Sequence, residues 1–254
     1  MPDVILTPEL LLLLFSVGLI AGMVDAVAGG GGLIALPTLL SIGLPPAQAL
    51  ATNKLQGSFG TFSSSLYFIR NGLVDLKGAR FLIGCTFIGS ALGTLLVQRI
   101  DPGFLNSIIP LLLIAIALYF WLSPGISDES AVKRIGENLF ALTVGFGAGF
   151  YDGFFGPGAG SFFAIGFVSL LGYGLTQATA YTKVLNFTSN IASLLFFILG
   201  GQVIWSLGLT MGCGQLIGGR LGAKLVVLKG ARLIRPLIVS ITILISLKLL
   251  LSGE

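Results

Sequence analysis

Apolar stretches of membrane-spanning length follow one another along almost the whole chain, and polar residues fall mainly in short gaps between them. About 20 consecutive apolar residues suffice for a helix to cross a bilayer. The pattern divides into five segments in each half. In the first half they cover about residues 8–28, the short stretch LIALPTLLSIG, the run from Pro45-Pro46 to about Ile69, about 79–98 and about 104–122. In the second half they cover about 138–155, 159–172, 175–199, 203–227 and 233–251. The predicted fold class is all-α, a polytopic transmembrane helical bundle, because helices satisfy their own backbone polar groups in lipid. The polar stretch SPGISDESAVKRIGEN is the candidate boundary. It divides an N-terminal membrane repeat (1–123), a linker loop (124–137) and a C-terminal membrane repeat (138–254), together expected to form one integrated membrane domain.

The halves repeat each other. From Ala47 to Val97, adding 129 to a residue number finds its partner without a gap: Gln48 with Gln177, Ala51 with Ala180, Lys54 with Lys183, Gly72 with Gly201. The stretch IGSALG (88–93) answers IGGRLG (217–222) in the same register. Upstream, Asp25 matches Asp152 at an offset of 127, and downstream Pro110 matches Pro236 at 126. Basic residues orient the repeats, since Lys and Arg concentrate on cytoplasmic loops. Arg70, Lys77 and Arg80 lie between segments three and four of the first half, whereas the equivalent stretch GGQVIW has none. The second half places Lys224, Lys229, Arg232 and Arg235 near its segment four-to-five connection, where the first half has only Arg99. Lys133 and Arg134 mark the linker. The topology that fits has both chain ends outside, the linker inside, and two inverted repeats of five segments, a recurrent plan in secondary transporters.

Composition agrees with the solvent that the pattern implies. The 254 residues are 55% hydrophobic and 9% charged, far below the roughly 25% charged of a soluble domain. The mean hydropathy is +1.01. The start MPDVILTPEL has no positive region and no small-residue cleavage site, so the first segment is expected to remain in the mature protein. Cys85 and Cys213 lie inside apolar segments and suggest no disulfide framework. There is no His, the commonest metal ligand and general base. The net charge of +4 reads as a topology signal and not as a nucleic-acid footprint. No Walker loop, metal cluster or nucleophile with its base is visible, so neither an enzyme nor a cofactor is expected, and no catalytic or metal residue is assigned.

The candidate chemistry sits at two near-identical breaks, GMVDAVAGGGG (22–32) and GFYDGFFGPGAG (149–160). Short, glycine-interrupted segments at matching places in two halves point to a transporter's binding site. The helix starts near Gly32 and Gly160 would face an anion with free N–H groups. A tight helical hairpin packed through glycines is the plainer alternative. Asp25 and Asp152 beside the breaks are either proton-coupling carboxylates and partners of a lysine, or structural caps on the next helix. Lys183, Asn186, Asn190 and Ser193 share one helix face, as do Lys54, Gly57, Thr61 and Ser64 in the first half. Ammonium, amide and hydroxyl groups in this stripe suit an oxyanion, with snorkelling of the lysines as the alternative. Lys54 and Lys183 are thus the expected positive centre of a substrate site between the halves, with Asn186, Asn190 and Thr61 as donors and the two Asp offsetting the charge. Arg220, whose counterpart is Ala91, reads as a snorkelling residue or a phospholipid contact.

The stretches DAVAGGGGLIALPTLL, ALATNKLQGSFG and FYDGFFGPGAGSF resemble the TauE/SafE family of sulfite exporters, also called the TSUP permeases. The resemblance covers nearly the whole chain. It implies a multi-pass protein of the bacterial inner membrane with two related halves. It further implies transport of sulfite, a sulfonate or another small organosulfur oxyanion. The expected partners are that anion and the bilayer, with no nucleic acid; a homodimer is left open. Secondary transport by alternating access is the expected function, without cofactor and with a proton as the coupling ion considered; a passive anion channel is the alternative.

Overall fold

The computed structural model describes residues 6–122 and 132–230, and all its regular elements are helical. Segment five of the second half, both chain ends and most of the linker lie outside the described residues. The helices are α1 (Pro8–Ala28), α2 (Gly32–Ser41), α3 (Pro46–Arg70), α4 (Arg80–Val97), α5 (Pro102–Leu122), α6 (Glu137–Phe140), α7 (Phe146–Phe154), α8 (Ala159–Leu171), α9 (Leu175–Leu199) and α10 (Trp205–Lys229). A π-helical stretch, Ala141–Gly145, joins α6 to α7, so the predicted segment 138–155 is one rod with a wide turn inside it. Among the described residues, α1, α4 and α9 are long and apolar enough to cross a membrane, and α2 and α8 are shorter apolar helices.

Local sequence sets the boundaries. Thr7 accepts the N–H of Leu10 at 3.3 Å and Pro8 occupies the first helical turn, so α1 starts there. It stops at Gly29, whose φ of +74° continues the chain in the left-handed region while its N–H returns to the Asp25 carbonyl. Pro45-Pro46 starts α3 in the same way as Pro8 starts α1.

Hydrogen bonds at the helix ends give the directions. The N–H of Asp75, just past α3, donates to the hydroxyl of Tyr181 near the start of α9 at 3.0 Å. The N–H of Ile204, just past α9, donates to Thr52 near the start of α3 at 3.2 Å. Thus α3 and α9, which the sequence repeat equates, run antiparallel. The N–H of Arg134 donates to the carbonyl of Leu170 at 2.8 Å, so α8 ends beside the chain that leads into α6. The short helix α8 therefore returns to the end of the bundle from which its preceding helix set out.

The halves are interleaved through glycine seams. In α1 against α10, a Cβ on Gly18 would lie 2.2 Å from the Met211 carbonyl oxygen, and one on Gly218 would lie 2.0 Å from that of Leu19. In α4 against α7, a Cβ on Gly89 would lie 2.3 Å from the Phe146 carbonyl oxygen, and one on Gly153 would lie 2.0 Å from that of Ser90. Each seam joins segment one of one half to segment four of the other. Absence of a side chain is what lets the backbones approach so closely. Two apolar clusters complete the core. Along α3 the first takes Ala49 to Leu55 and the second Phe68; along α9 the second takes Leu175 to Leu185 and the first Leu194 and Phe197. A polar layer lies between them.

Candidate functional site

The two glycine breaks meet in the polar layer. A Cβ on Gly29 would lie 2.8 Å from the Gly160 backbone, and one on Gly160 would lie 2.7 Å from the Cα of Gly29. Ser161 on α8 donates to the Ala28 carbonyl at the end of α1 at 2.9 Å. Only glycine permits this backbone-on-backbone contact, which sets the starts of α2 and α8 side by side. Among the described residues, nothing accepts the N–H of Gly32 or Gly160, as expected for the first turn of a helix.

Around this contact the acidic and basic residues pair across the halves. Lys54 on α3 places Nζ 2.5 Å from Oδ1 of Asp152 on α7. Lys183 on α9 places Nζ 3.1 Å from Oδ2 of Asp25 on α1 and 2.5 Å from the Asp25 carbonyl. The side chains of Lys54, Asp152 and Lys183 are at most 6% exposed, and that of Asp25 is 16% exposed. Neither ammonium snorkels to an interface. Each carboxylate also takes a neutral donor: Ser189 donates to Oδ2 of Asp152, and the N–H of Gly31 reaches Oδ1 of Asp25 at 3.4 Å. The helix-capping alternative therefore applies to Asp25 in part; Asp152 is held by side chains. A buried ion pair persists only where both charges find such partners, because desolvation of either alone is expensive.

Between these elements lies a polar cavity of about 40 Å³. Its wall includes Lys54, Asp25, Asp152, Thr61, Asn186 and Asn190, together with backbone at Gly32 and Gly160. Lys183 is not on this wall; it stands behind Asp25 and holds it. Thr61 differs from its expected role. Its hydroxyl donates to the Gly57 carbonyl at 2.7 Å and accepts from Asn190 Nδ2 at 3.3 Å, so its proton is already used. Asn53, Gln56 and Gln215 also line the cavity and were not singled out from sequence. Asn53 and Gln56 flank Lys54 on α3, where a helical wheel drawn through Lys54 would have placed Gln56 off the stripe. Gln215 comes from α10 and reaches over Gly60, where a Cβ would lie 2.0 Å from its Oε1. Only the tertiary contact reveals it.

The wall is polar but not saturated. Among the described residues, Gln56 Oε1 and Asn186 Oδ1 are buried without a partner, while Gln56 Nε2 donates to Asn53 Oδ1 at 2.8 Å. A terminal amide presents either a donor or an acceptor by rotating half a turn, so this wall can suit a ligand of either kind. Unpaired buried polar atoms cost about 1–3 kcal/mol each until water or a ligand reaches them. The volume suffices for that, since about 10–15 Å³ holds one water. The formal charges of Lys54, Lys183, Asp25 and Asp152 sum to zero, so the cavity carries no standing net charge from these pairs. No group of three or more metal-binding side chains occurs among the described residues.

Comparison with known proteins places this arrangement. Residues 14–249 match the family described as Sulfite exporter TauE/SafE. The chain is 49% identical to a "Probable membrane transporter protein" of Haemophilus influenzae, over 95% of this chain and 94% of the relative. It is 50% identical to the "Probable membrane transporter protein YfcA" of Escherichia coli K12, over 96% of this chain and 91% of the relative. A more distant relative, the "Probable membrane transporter protein YdhB" of Bacillus subtilis, is 27% identical over 92% of this chain and 99% of its own length. No solved structure matches the chain.

Proposed function

The chain belongs to the TauE/SafE sulfite exporter family and is a membrane transporter, and from that premise we propose that it carries a small oxyanion through the cavity between its halves by alternating access. Sulfite or a sulfonate-type organosulfur anion is the proposed cargo, and a bacterial inner membrane the proposed location. The observation that carries the reading is the crossed pairing: Lys54 of one half with Asp152 of the other, and Lys183 with Asp25. A rocking motion of one half against the other must stretch or exchange these pairs. The substrate site and the moving interface are then the same place.

The charge balance suggests how a proton takes part. An anion entering the cavity meets Lys54 already neutralised by Asp152. Proton transfer to Asp152 leaves a neutral acid beside Lys54 and frees one positive charge for the anion. The unpaired N–H groups of Gly32 and Gly160 add partial positive charge at the helix starts. The amide groups of Asn186, Asn190 and Gln56 can then bond to several oxygens, which an oxyanion offers and a halide does not. Loaded with a monoanion such as hydrogensulfite or a simple sulfonate, the site again sums to zero, the condition for crossing a low-dielectric layer at least cost. Proton and anion would therefore move together.

The test is flux in proteoliposomes. Labelled sulfite and a labelled simple alkanesulfonate, each with and without an imposed pH gradient, should show uptake driven towards the alkaline side. Flux that ignores the gradient would favour a passive anion channel. Absence of flux for both anions would remove the proposed cargo.

A further inference from the structure

Outside the central cavity, a groove of about 540 Å³ opens between α3 and α10 on the outer face of the bundle. Its sides are apolar, with Phe62 and Leu66 from α3 facing Ile217 and Leu221 from α10. Two arginines also line it, Arg70 at the last residue of α3 and Arg220 within α10. Both are exposed, and neither has a hydrogen-bond or ion-pair partner among the described residues. The hydroxyl-bearing ring of Tyr67 lies in the same wall.

We propose that this groove binds an anionic phospholipid, its phosphate between Arg70 and Arg220 and an acyl chain along the Phe62, Leu66 and Leu221 side. An unpaired Arg among exposed apolar side chains is costly where lipid covers them, and a lipid phosphate drawn to it removes that cost while the glyceride stays among apolar side chains. Two arginines over an apolar trough match the two parts of one phospholipid. The basic residues Lys77, in the connection after α3, and Arg80, at the start of α4, lie at this same end, which Lys and Arg bias assigns to the cytoplasmic leaflet.

The internal repeat supplies a control for the argument. Shifting α3 by +129 and α10 by −129 gives the equivalent positions on α9 and α4. There the apolar side is kept: Phe62 becomes Ile191, Leu66 becomes Leu195, and Leu221 becomes Leu92. The polar end is not: Arg70 becomes Leu199, Arg220 becomes Ala91, and Tyr67 becomes Phe196. The fold therefore tolerates an all-apolar version of these positions, and packing of the helices does not call for the arginines. Topology signalling accounts for an arginine at a helix end such as Arg70 but not for Arg220 inside α10.

Native mass spectrometry of the full-length protein in detergent tests the proposal, titrating dioleoylphosphatidylglycerol against dioleoylphosphatidylcholine. The wild type should retain the anionic lipid preferentially. Arg70→Gln with Arg220→Gln should cut that preference roughly thirtyfold, from the loss of two basic contacts. Lys77→Gln with Arg80→Gln, whose side chains do not line the groove, should change it much less. Equal retention of the two lipids by the wild type would overturn the proposal without any variant. So would undiminished preference in the double Arg variant, or loss of a dimer with no change in lipid preference, which would make the groove a contact between two copies.

Discussion

The ammonium of Lys54 and the carboxylate of Asp152 lie 2.5 Å apart although 98 residues separate them, and each belongs to a different half of the chain. The equivalent residues pair the other way round, Lys183 with Asp25. The halves are thus joined by two crossed ion pairs that flank one cavity, and the four charges are best treated as a unit.

Lys54→Met alone should be a poor probe of substrate binding. It strands Asp152 in a buried site, and removing one partner of a buried pair costs about 3–5 kcal/mol. The double variant Lys54→Met with Asp152→Asn leaves no uncompensated charge and should recover most of that loss while still failing to accumulate anion. Thermal unfolding of the detergent-solubilised protein would show this ordering. A single variant as stable as the wild type would mean that the pair is not a buried one in the membrane.

Asp152→Asn should separate coupling from passage. Uptake driven by a pH gradient should cease, whereas exchange of labelled for unlabelled anion, with no gradient, should continue. If the folded variant keeps its response to the gradient, Asp152 does not carry the proton.

Gly29 and Gly43 both have positive φ, +74° and +89°, but differ in surroundings. Nothing lies within 4 Å of a Cβ added at Gly43, whereas at Gly29 it would strike the Gly160 backbone. Gly43→Ala should cost about 1–2 kcal/mol of backbone strain. Gly29→Ala adds overpacking and should cost about 2–5 kcal/mol, with loss of transport. Matching shifts in unfolding temperature for the two variants would contradict the contact between the breaks.

Lys77 and Gln202 occupy equivalent connections that the antiparallel course of α3 and α9 sends to opposite ends of the bundle. In a Cys85→Ser, Cys213→Ser background, an impermeant thiol reagent added to intact cells should label Gln202→Cys and spare Lys77→Cys. Labelling of both from outside would contradict the assigned sidedness.

Sequence by itself determined the helical segments, because hydrophobic runs, proline starts and glycine stops are local signals. Those signals placed α1 at 8–28 and α9 at 175–199, the ranges found in the structure. It also singled out the two breaks, the two Asp and the two Lys, because the repeat makes each visible twice and an ionisable residue stands out in apolar surroundings. What it could not supply was which Asp meets which Lys. Pairing within a half and pairing across halves use the same residue types, and only the antiparallel course of α3 and α9 and the glycine seams between segments one and four select the crossed arrangement. Nor could a helix-face argument find Gln215, which reaches the cavity from α10 over Gly60, or show that the Thr61 hydroxyl is already committed to the Gly57 carbonyl. Periodicity reports one helix at a time, whereas the cavity is a property of how several helices pack, and that is decided by backbone contacts at positions such as Gly29 and Gly160 that leave no trace in a hydrophobic pattern.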